Sequence, residues 1–139
     1  MQARSSILVM APAERVFTFI SEPANDRQWR SHLSASRGAA SAVGDRVTQT
    51  YSQDGRTKTV ELTVAEYDAP NRLTFALTEP VRARLSFTFR LEDGGTRVSA
   101  SMSATLSGPL ALFESRAQSE LEKVLKTDLT RLKTVLESH

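Results

Sequence analysis

Hydrophobic and polar residues alternate with a period of two through most of the chain between Leu33 and Leu106. Turn-forming sequences interrupt the alternation, namely Gln53-Asp54-Gly55, Asp68-Ala69-Pro70-Asn71, Pro80 and Asp93-Gly94-Gly95. Alternation of this kind is typical of antiparallel strands that have one buried and one solvated face. The sequence therefore predicts about six consecutive strands joined by short turns.

The apolar positions of this pattern define one face of the predicted sheet, which we call the inner face. Its apolar members are Val47, Val60, Leu62, Val64, Leu73, Phe75, Leu77, Leu85, Phe87, Phe89, Leu91, Val98, Ala100, Met102, Ala104 and Leu106. Gln49 and Tyr51 share this face, and a buried amide or hydroxyl needs a hydrogen-bond partner. Both are candidate orienting groups of a pocket, unless they lie at a strand end where the face is wet.

The last thirty residues, 109–138, have apolar side chains at every third or fourth position, which predicts one long amphipathic helix. Gly108-Pro109 signals its start, with Ser107 as a candidate N-cap. Asp128 borders the apolar stripe, and we expect its carboxylate to be solvated. A helix of about 45 Å, at about 1.5 Å per residue, needs a large apolar surface, which the sheet would supply.

The segment before the sheet contains a short apolar strand at Ser5–Met10 and a helix opened by Pro12. One or two further helical turns are predicted from Ala24 to Trp29. The order of elements is therefore one strand, two helices, about six strands and a long helix. This order predicts an α+β domain spanning residues 1–139, in which a curved antiparallel sheet of about seven strands wraps around the C-terminal helix.

Composition narrows the class of protein without identifying it. The 139 residues carry a net charge of +2 and no cysteine, which excludes disulfides, thiolate catalysis and zinc ribbons. The charges are scattered, so nucleic-acid binding is not expected. No apolar run reaches the ~20 residues of a membrane span, and no signal-peptide core is present, so we expect a cytoplasmic protein. The alanine- and arginine-rich composition suggests a bacterial source.

Residues suited to catalysis are few, and they form no recognisable constellation. His32 is either a general base or a solvated loop histidine. Glu66 has the parity of Val64, so it is either a buried carboxylate with a raised pKa or a solvated strand-end residue. Tyr51 is the third candidate. A metal site needs three or four ligands, and His32 with Asp26 and scattered carboxylates is poor material, so no metal is expected.

Several local motifs, in this order, resemble the polyketide cyclase/dehydrase family of the START/birch-pollen-allergen-like (SRPBCC) superfamily, whose fold is the helix-grip. The motifs that carry the resemblance are Ala11-Pro12-Ala13-Glu14-Arg15-Val16-Phe17, Trp29, Val43-Gly44-Asp45, Val64-Ala65-Glu66-Tyr67-Asp68-Ala69-Pro70-Asn71-Arg72-Leu73, Gly94-Gly95-Thr96-Arg97-Val98 and Leu129-Thr130-Arg131-Leu132-Lys133. Together they cover nearly the whole chain. The resemblance implies a cavity between the curved sheet and the long helix.

That cavity would bind a small hydrophobic ligand such as a lipid, an isoprenoid or an aromatic polyketide, without a cofactor. The candidate ligand-binding residues are Trp29, Gln49, Tyr51, Leu62, Phe75, Leu77, Leu85, Phe87, Met102, Phe113, Ala117 and Leu121. Trp29 would cover the cavity mouth or plug the core. The alternatives are an aromatase/cyclase or dehydratase acting on a similar ligand, and an interaction module or homodimer that uses an outer surface or a sheet edge.

Overall fold

The computed structural model describes residues 1–106 and 114–138. Its elements are β1 (Gln2–Val9), α1 (Ala13–Ile20), a 3₁₀ helix (Pro23–Gln28), β2 (Leu33–Gly38), β3 (Arg46–Gln53), β4 (Arg56–Asp68), β5 (Arg72–Leu77), β6 (Arg82–Glu92), β7 (Gly95–Thr105) and α2 (Glu114–Glu137). The predicted α+β helix-grip architecture is confirmed. The predicted start of the long helix, with Ser107, Pro109 and Phe113, lies outside the described residues.

The seven strands form one antiparallel sheet in the order β1-β7-β6-β5-β4-β3-β2. The six strands β2 to β7 follow one another as a meander, and β1 joins the far edge beside β7. Register shifts between Leu33 and Ala35 and between Val64 and Glu66 mark bulges. Bulges bend the bulged strand and increase its twist, which favours the curvature that the inner face needs.

Two tight hairpins fix the register of the strands that carry the site. The β3–β4 turn has Asp54 and Gly55 at φ 52° and 75°, and the β6–β7 turn has Asp93 and Gly94 at φ 47° and 82°. Positive φ at both central residues defines the two-residue turn that matches strand twist, which explains the Asp-Gly sequences. Leu91, predicted on the inner face, is 87% exposed because it lies beyond the end of the core next to this second turn.

The two α-helices pack against the sheet and share one hydrophobic core with its inner face. Helix α1 buries Phe17, whose ring stands edge-on to Tyr67 and Phe89 at centroid distances of 5.4 and 5.3 Å. Helix α2 buries a stripe of four leucines, Leu125, Leu129, Leu132 and Leu136. Its C-terminal end is held at β1, where Lys133 Nζ donates to the Leu8 carbonyl at 2.8 Å.

Candidate functional site

An apolar cavity of about 150 Å³ lies on the inner face of the sheet. Its apolar lining comes from four neighbouring strands and consists of Val60, Leu62, Phe75, Leu77, Ala83, Leu85 and Met102. These positions alternate with solvent-facing residues along their strands, as the period of two requires. The other described lining residues are Arg30, Gln49 and Tyr51, which supply polar groups to the wall.

These polar groups are joined by hydrogen bonds. The Tyr51 hydroxyl donates to Gln49 Oε1 at 2.7 Å and accepts a long bond from Arg30 Nη2 at 3.4 Å. Gln49 Nε2 donates in turn to Asp26 Oδ2 at 3.1 Å. Gln49 is only 2% exposed, so it does not lie at a wet strand end. Its burial is compatible with its polarity because both ends of the amide have partners.

Arg30 connects this part of the wall to α2. Its Nε atom lies 3.2 Å from Asp128 Oδ2, and the two side chains are 11% and 3% exposed. The backbone N–H and the hydroxyl of Ser31 donate to Asp128 Oδ1. The expectation that Asp128 is solvated was wrong, because a cation 98 residues away in sequence lies against it. We call Asp26, Gln49, Tyr51, Arg30 and Asp128 the polar chain.

Asp26 lies at one end of the polar chain, and the pKa of its carboxyl differs from the ordinary value. Burial raises the pKa of this carboxyl above its ordinary value, although Arg30 and the hydrogen bonds from Ser36 and Gln49 act in the opposite direction. Ser36 Oγ donates to Asp26 Oδ2 at 2.9 Å. The folded protein therefore holds a proton on Asp26 more tightly than the unfolded chain does.

The raised pKa of Asp26 predicts a pH-dependent effect of Asp26→Asn. The folded state gains stability from this group below the unfolded pKa of about 3.9 and loses it as the pH rises through the folded pKa. Asparagine does not ionise, so the unfolding free energy of Asp26→Asn relative to the wild type should increase as the pH rises above about 4. Urea denaturation at a series of pH values measures this difference.

Asp45→Asn is the control of opposite sign. Hydrogen bonds from Ser41 hold the pKa of Asp45 below its ordinary value. That carboxylate stabilises the fold above the unfolded pKa, so its variant should lose stability relative to the wild type as the pH rises. A difference between Asp26→Asn and the wild type that stays constant with pH would contradict the assignment of the buried carboxyl.

The structure brings seven of the predicted ligand-binding residues together at the cavity: Gln49, Tyr51, Leu62, Phe75, Leu77, Leu85 and Met102. Trp29 and Phe87 are each 2% exposed and pack against one another at a centroid distance of 5.8 Å, so Trp29 lies in the core. Ala117 and Leu121 are half-buried on α2 and do not line the cavity. Phe113 lies outside the described residues.

Three described lining residues were not among the candidate ligand-binding residues: Arg30, Val60 and Ala83. Val60 and Ala83 lie on the inner face, and the alternation alone could have identified them. Arg30 follows the buried Trp29, with its guanidinium carbon 5.4 Å from the indole centroid. An arginine in a loop is usually exposed, so the sequence gives little sign that this one is buried.

Glu66 is not a buried acid. The register shift leaves Ala65 without a partner in β5, so Glu66 pairs with Thr74 and turns to the outer face. Its Oε1 atom accepts from the Thr74 hydroxyl at 2.9 Å and lies 3.3 Å from Arg72 Nε. These contacts, the Thr74 hydrogen bond first, lower the pKa of Glu66. The expected parity was wrong because one extra residue inverts the facing of a strand.

The last catalytic candidate, His32, is exposed in the loop before β2 and has a positive φ of 62°. It does not line the cavity, whereas Asp26 is buried within the polar chain.

Within residues 1–106 and 114–138, no three side chains among His, Asp and Glu converge as a metal site would require. Helices in this part of the chain are too short or too polar to cross a bilayer.

The family model described as "Polyketide cyclase / dehydrase and lipid transport" matches residues 1–137. No curated protein matches the sequence. Among solved structures, a protein from Thermus thermophilus is 19% identical with a TM-score of 0.83, and the match covers 99% of this chain and 98% of that one. At this identity the likeness concerns the fold.

Two di-domain ARO/CYC proteins are also similar in structure. StfQ, from the steffimycin biosynthetic pathway, is 15% identical with a TM-score of 0.77, and the match covers 99% of this chain and 50% of StfQ. BexL, from the BE-7585A biosynthetic pathway, is 17% identical with a TM-score of 0.80, covering 100% of this chain and 50% of BexL. The chain thus spans about half the length of each of these two proteins.

Proposed function

Because the chain belongs to the polyketide cyclase/dehydrase and lipid transport family, we propose that it binds a small hydrophobic molecule in the cavity on the inner face of the sheet. A mostly apolar, concave site with a few polar groups at fixed positions is the usual form of a small-molecule site. The polar groups orient the ligand, and the apolar wall provides most of the binding free energy.

The observation that carries the proposal is that the cavity wall has an apolar part and a separate polar part. Among residues 1–106 and 114–138, seven apolar side chains line it, and the polar groups Arg30, Gln49 and Tyr51 are hydrogen-bonded to one another. Packing an apolar core does not require a guanidinium, and Arg30 is accommodated beside the apolar wall only because Asp128 pairs with it. The combination supports a site in which a hydrophobic ligand has a defined orientation.

Filling the cavity should abolish binding while the protein stays folded. Ala83 lines the cavity and is 8% exposed, so Ala83→Leu places about three extra methyl or methylene groups in the free volume. We expect at least a tenfold loss of affinity for toluene, measured by isothermal titration calorimetry. If native mass spectrometry detects a compound that co-purifies with the wild type, that compound should be absent from Ala83→Leu.

Ala35→Leu is the matched control, because Ala35 is exposed on β2 and the same side chain is added there. This variant should bind as the wild type does. If the wild type and Ala83→Leu bind toluene with equal affinity, and both have normal circular dichroism, then toluene binds outside this cavity. Failure of the wild type to bind any apolar probe would reject the proposed function.

A further inference from the structure

The polar chain limits the chemistry of the ligand more sharply than the apolar wall does, provided that the cavity has the function proposed above. Arginine has five N–H donors and no acceptor. In Arg30, Nε donates to Asp128 and Nη2 donates to the Tyr51 hydroxyl. Within residues 1–106 and 114–138, the other three donors of this guanidinium have no protein partner. A group that lines the cavity thus retains donors that a ligand can use.

The neighbours of Arg30 are already engaged with one another. The Tyr51 hydroxyl hydrogen goes to Gln49, and the Gln49 amide donates to Asp26. Gln49 keeps one amide N–H, and lone pairs remain on Gln49 Oε1 and the Tyr51 oxygen, but the largest free capacity of the described wall is the three charged donors of Arg30. A complementary ligand presents an acceptor oxygen, because an oxygen placed there gives a hydrogen-bond partner to charged donors of Arg30 that have none among the described residues.

The charge of the wall decides between a neutral and an anionic oxygen. Asp128, 3.2 Å away and 3% exposed, already balances the positive charge of Arg30. A carboxylate ligand would bring a further negative charge to an apolar cavity in which Arg30 is the cation of the described lining. That excess charge would lose its hydration without a counter-charge of its own. A carbonyl or phenol oxygen accepts the same hydrogen bonds without this cost.

The volume of the cavity sets the size of the apolar part. A cavity of about 150 Å³ is the size that accepts benzene in other proteins, which corresponds to one aromatic ring. We propose that the cavity binds a single-ring ketone, aldehyde or phenol, with the neutral oxygen held by Arg30 and the ring against the apolar wall. A cavity of this volume is too small to enclose a long lipid chain.

The test compares probes of one shape on the wild-type protein. Benzaldehyde and benzoate differ mainly in charge, and toluene lacks the oxygen. Titration followed by Trp29 emission or calorimetry should give benzaldehyde at least about tenfold tighter binding than benzoate. Benzoate binding as tightly as benzaldehyde overturns the assignment of a neutral oxygen, even if toluene binding upholds the cavity as a hydrophobic site. Absence of binding for all three overturns both proposals.

The role of Arg30 is tested in a variant that leaves no buried charge alone. The double variant Arg30→Met, Asp128→Asn removes both charges and retains an acceptor for Ser31. We expect the benzaldehyde-to-toluene affinity ratio to fall by about tenfold or more in the folded double variant. An unchanged ratio overturns the role of Arg30. The comparison between benzaldehyde and benzoate on the wild type decides the charge of the ligand without this variant.

Discussion

Asp128→Ala should be among the most destabilising single substitutions in the protein, with a loss of about 3–5 kcal/mol in the free energy of unfolding. The substitution leaves the Arg30 guanidinium, whose side chain is 11% exposed, without its counter-ion. It also removes the acceptor for the Ser31 backbone N–H. Urea denaturation followed by circular dichroism measures the loss, and the thermal midpoint should fall by about 10 °C or more.

Glu61→Ala is the surface control for this prediction. The Arg46–Glu61 pair is separated by 3.6 Å, and its side chains are 70% and 55% exposed. Exposed pairs contribute at most about 1 kcal/mol, so this variant should unfold close to the wild type. The double variant Arg30→Met, Asp128→Asn should recover much of the stability that Asp128→Ala loses, because no unpaired charge remains. Similar losses for Asp128→Ala and Glu61→Ala would contradict a buried ion pair.

Phe87→Ala should also cost about 3–5 kcal/mol, through a different mechanism. The Phe87 ring is 2% exposed and stands edge-on to Trp29, which is equally buried. Removing the ring leaves a void beside the indole and loses an aromatic contact. Guanidinium denaturation gives the stability change. The emission maximum of Trp29 in the native protein should shift, because the indole gains contact with water or with differently packed side chains.

Leu91→Ala provides the comparison for Phe87→Ala on the same strand and the same parity. Because Leu91 is 87% exposed, its truncation should change the stability by less than about 0.5 kcal/mol. If both variants lose stability equally, the inner face does not carry the core in the way described. If Phe87→Ala leaves the Trp29 emission unchanged, the two rings are not in contact in solution.

The sequence was sufficient to predict the sheet and most of the apolar cavity wall, because each depends on local alternation. Val47, Leu62 and Phe75 are buried, as the period of two predicts for residues on the inner face. The side chain of Glu66 could not be placed this way. A single unpaired residue in β4 inverts the parity, and nothing in the alternation marks a bulge in advance.

The polar chain was predicted only in part. Gln49 and Tyr51 could be predicted as candidate pocket residues because their side chains have polar groups and lie on an apolar face. Arg30 and Asp128 did not, since an arginine in a loop and an aspartate at the edge of a helical stripe are normally solvated. Their partnership joins two segments that are 98 residues apart, and a single sequence has no periodicity that reports such a contact.

The position of β1 has a consequence for how the chain is made. Gln2 pairs with Ser103, so β1, which is synthesised before β2–β7, has no neighbour in the sheet until β7 has been synthesised. The hairpins β3–β4 and β6–β7 close over two residues each and can form during translation, because short loops cost little entropy. Until β7 emerges, the nascent sheet has an open edge at β6, and β1 is an unpaired strand available to other chains. Completion of the sheet thus waits for β7, when the first and seventh strands, which are far apart in the sequence, pair with each other.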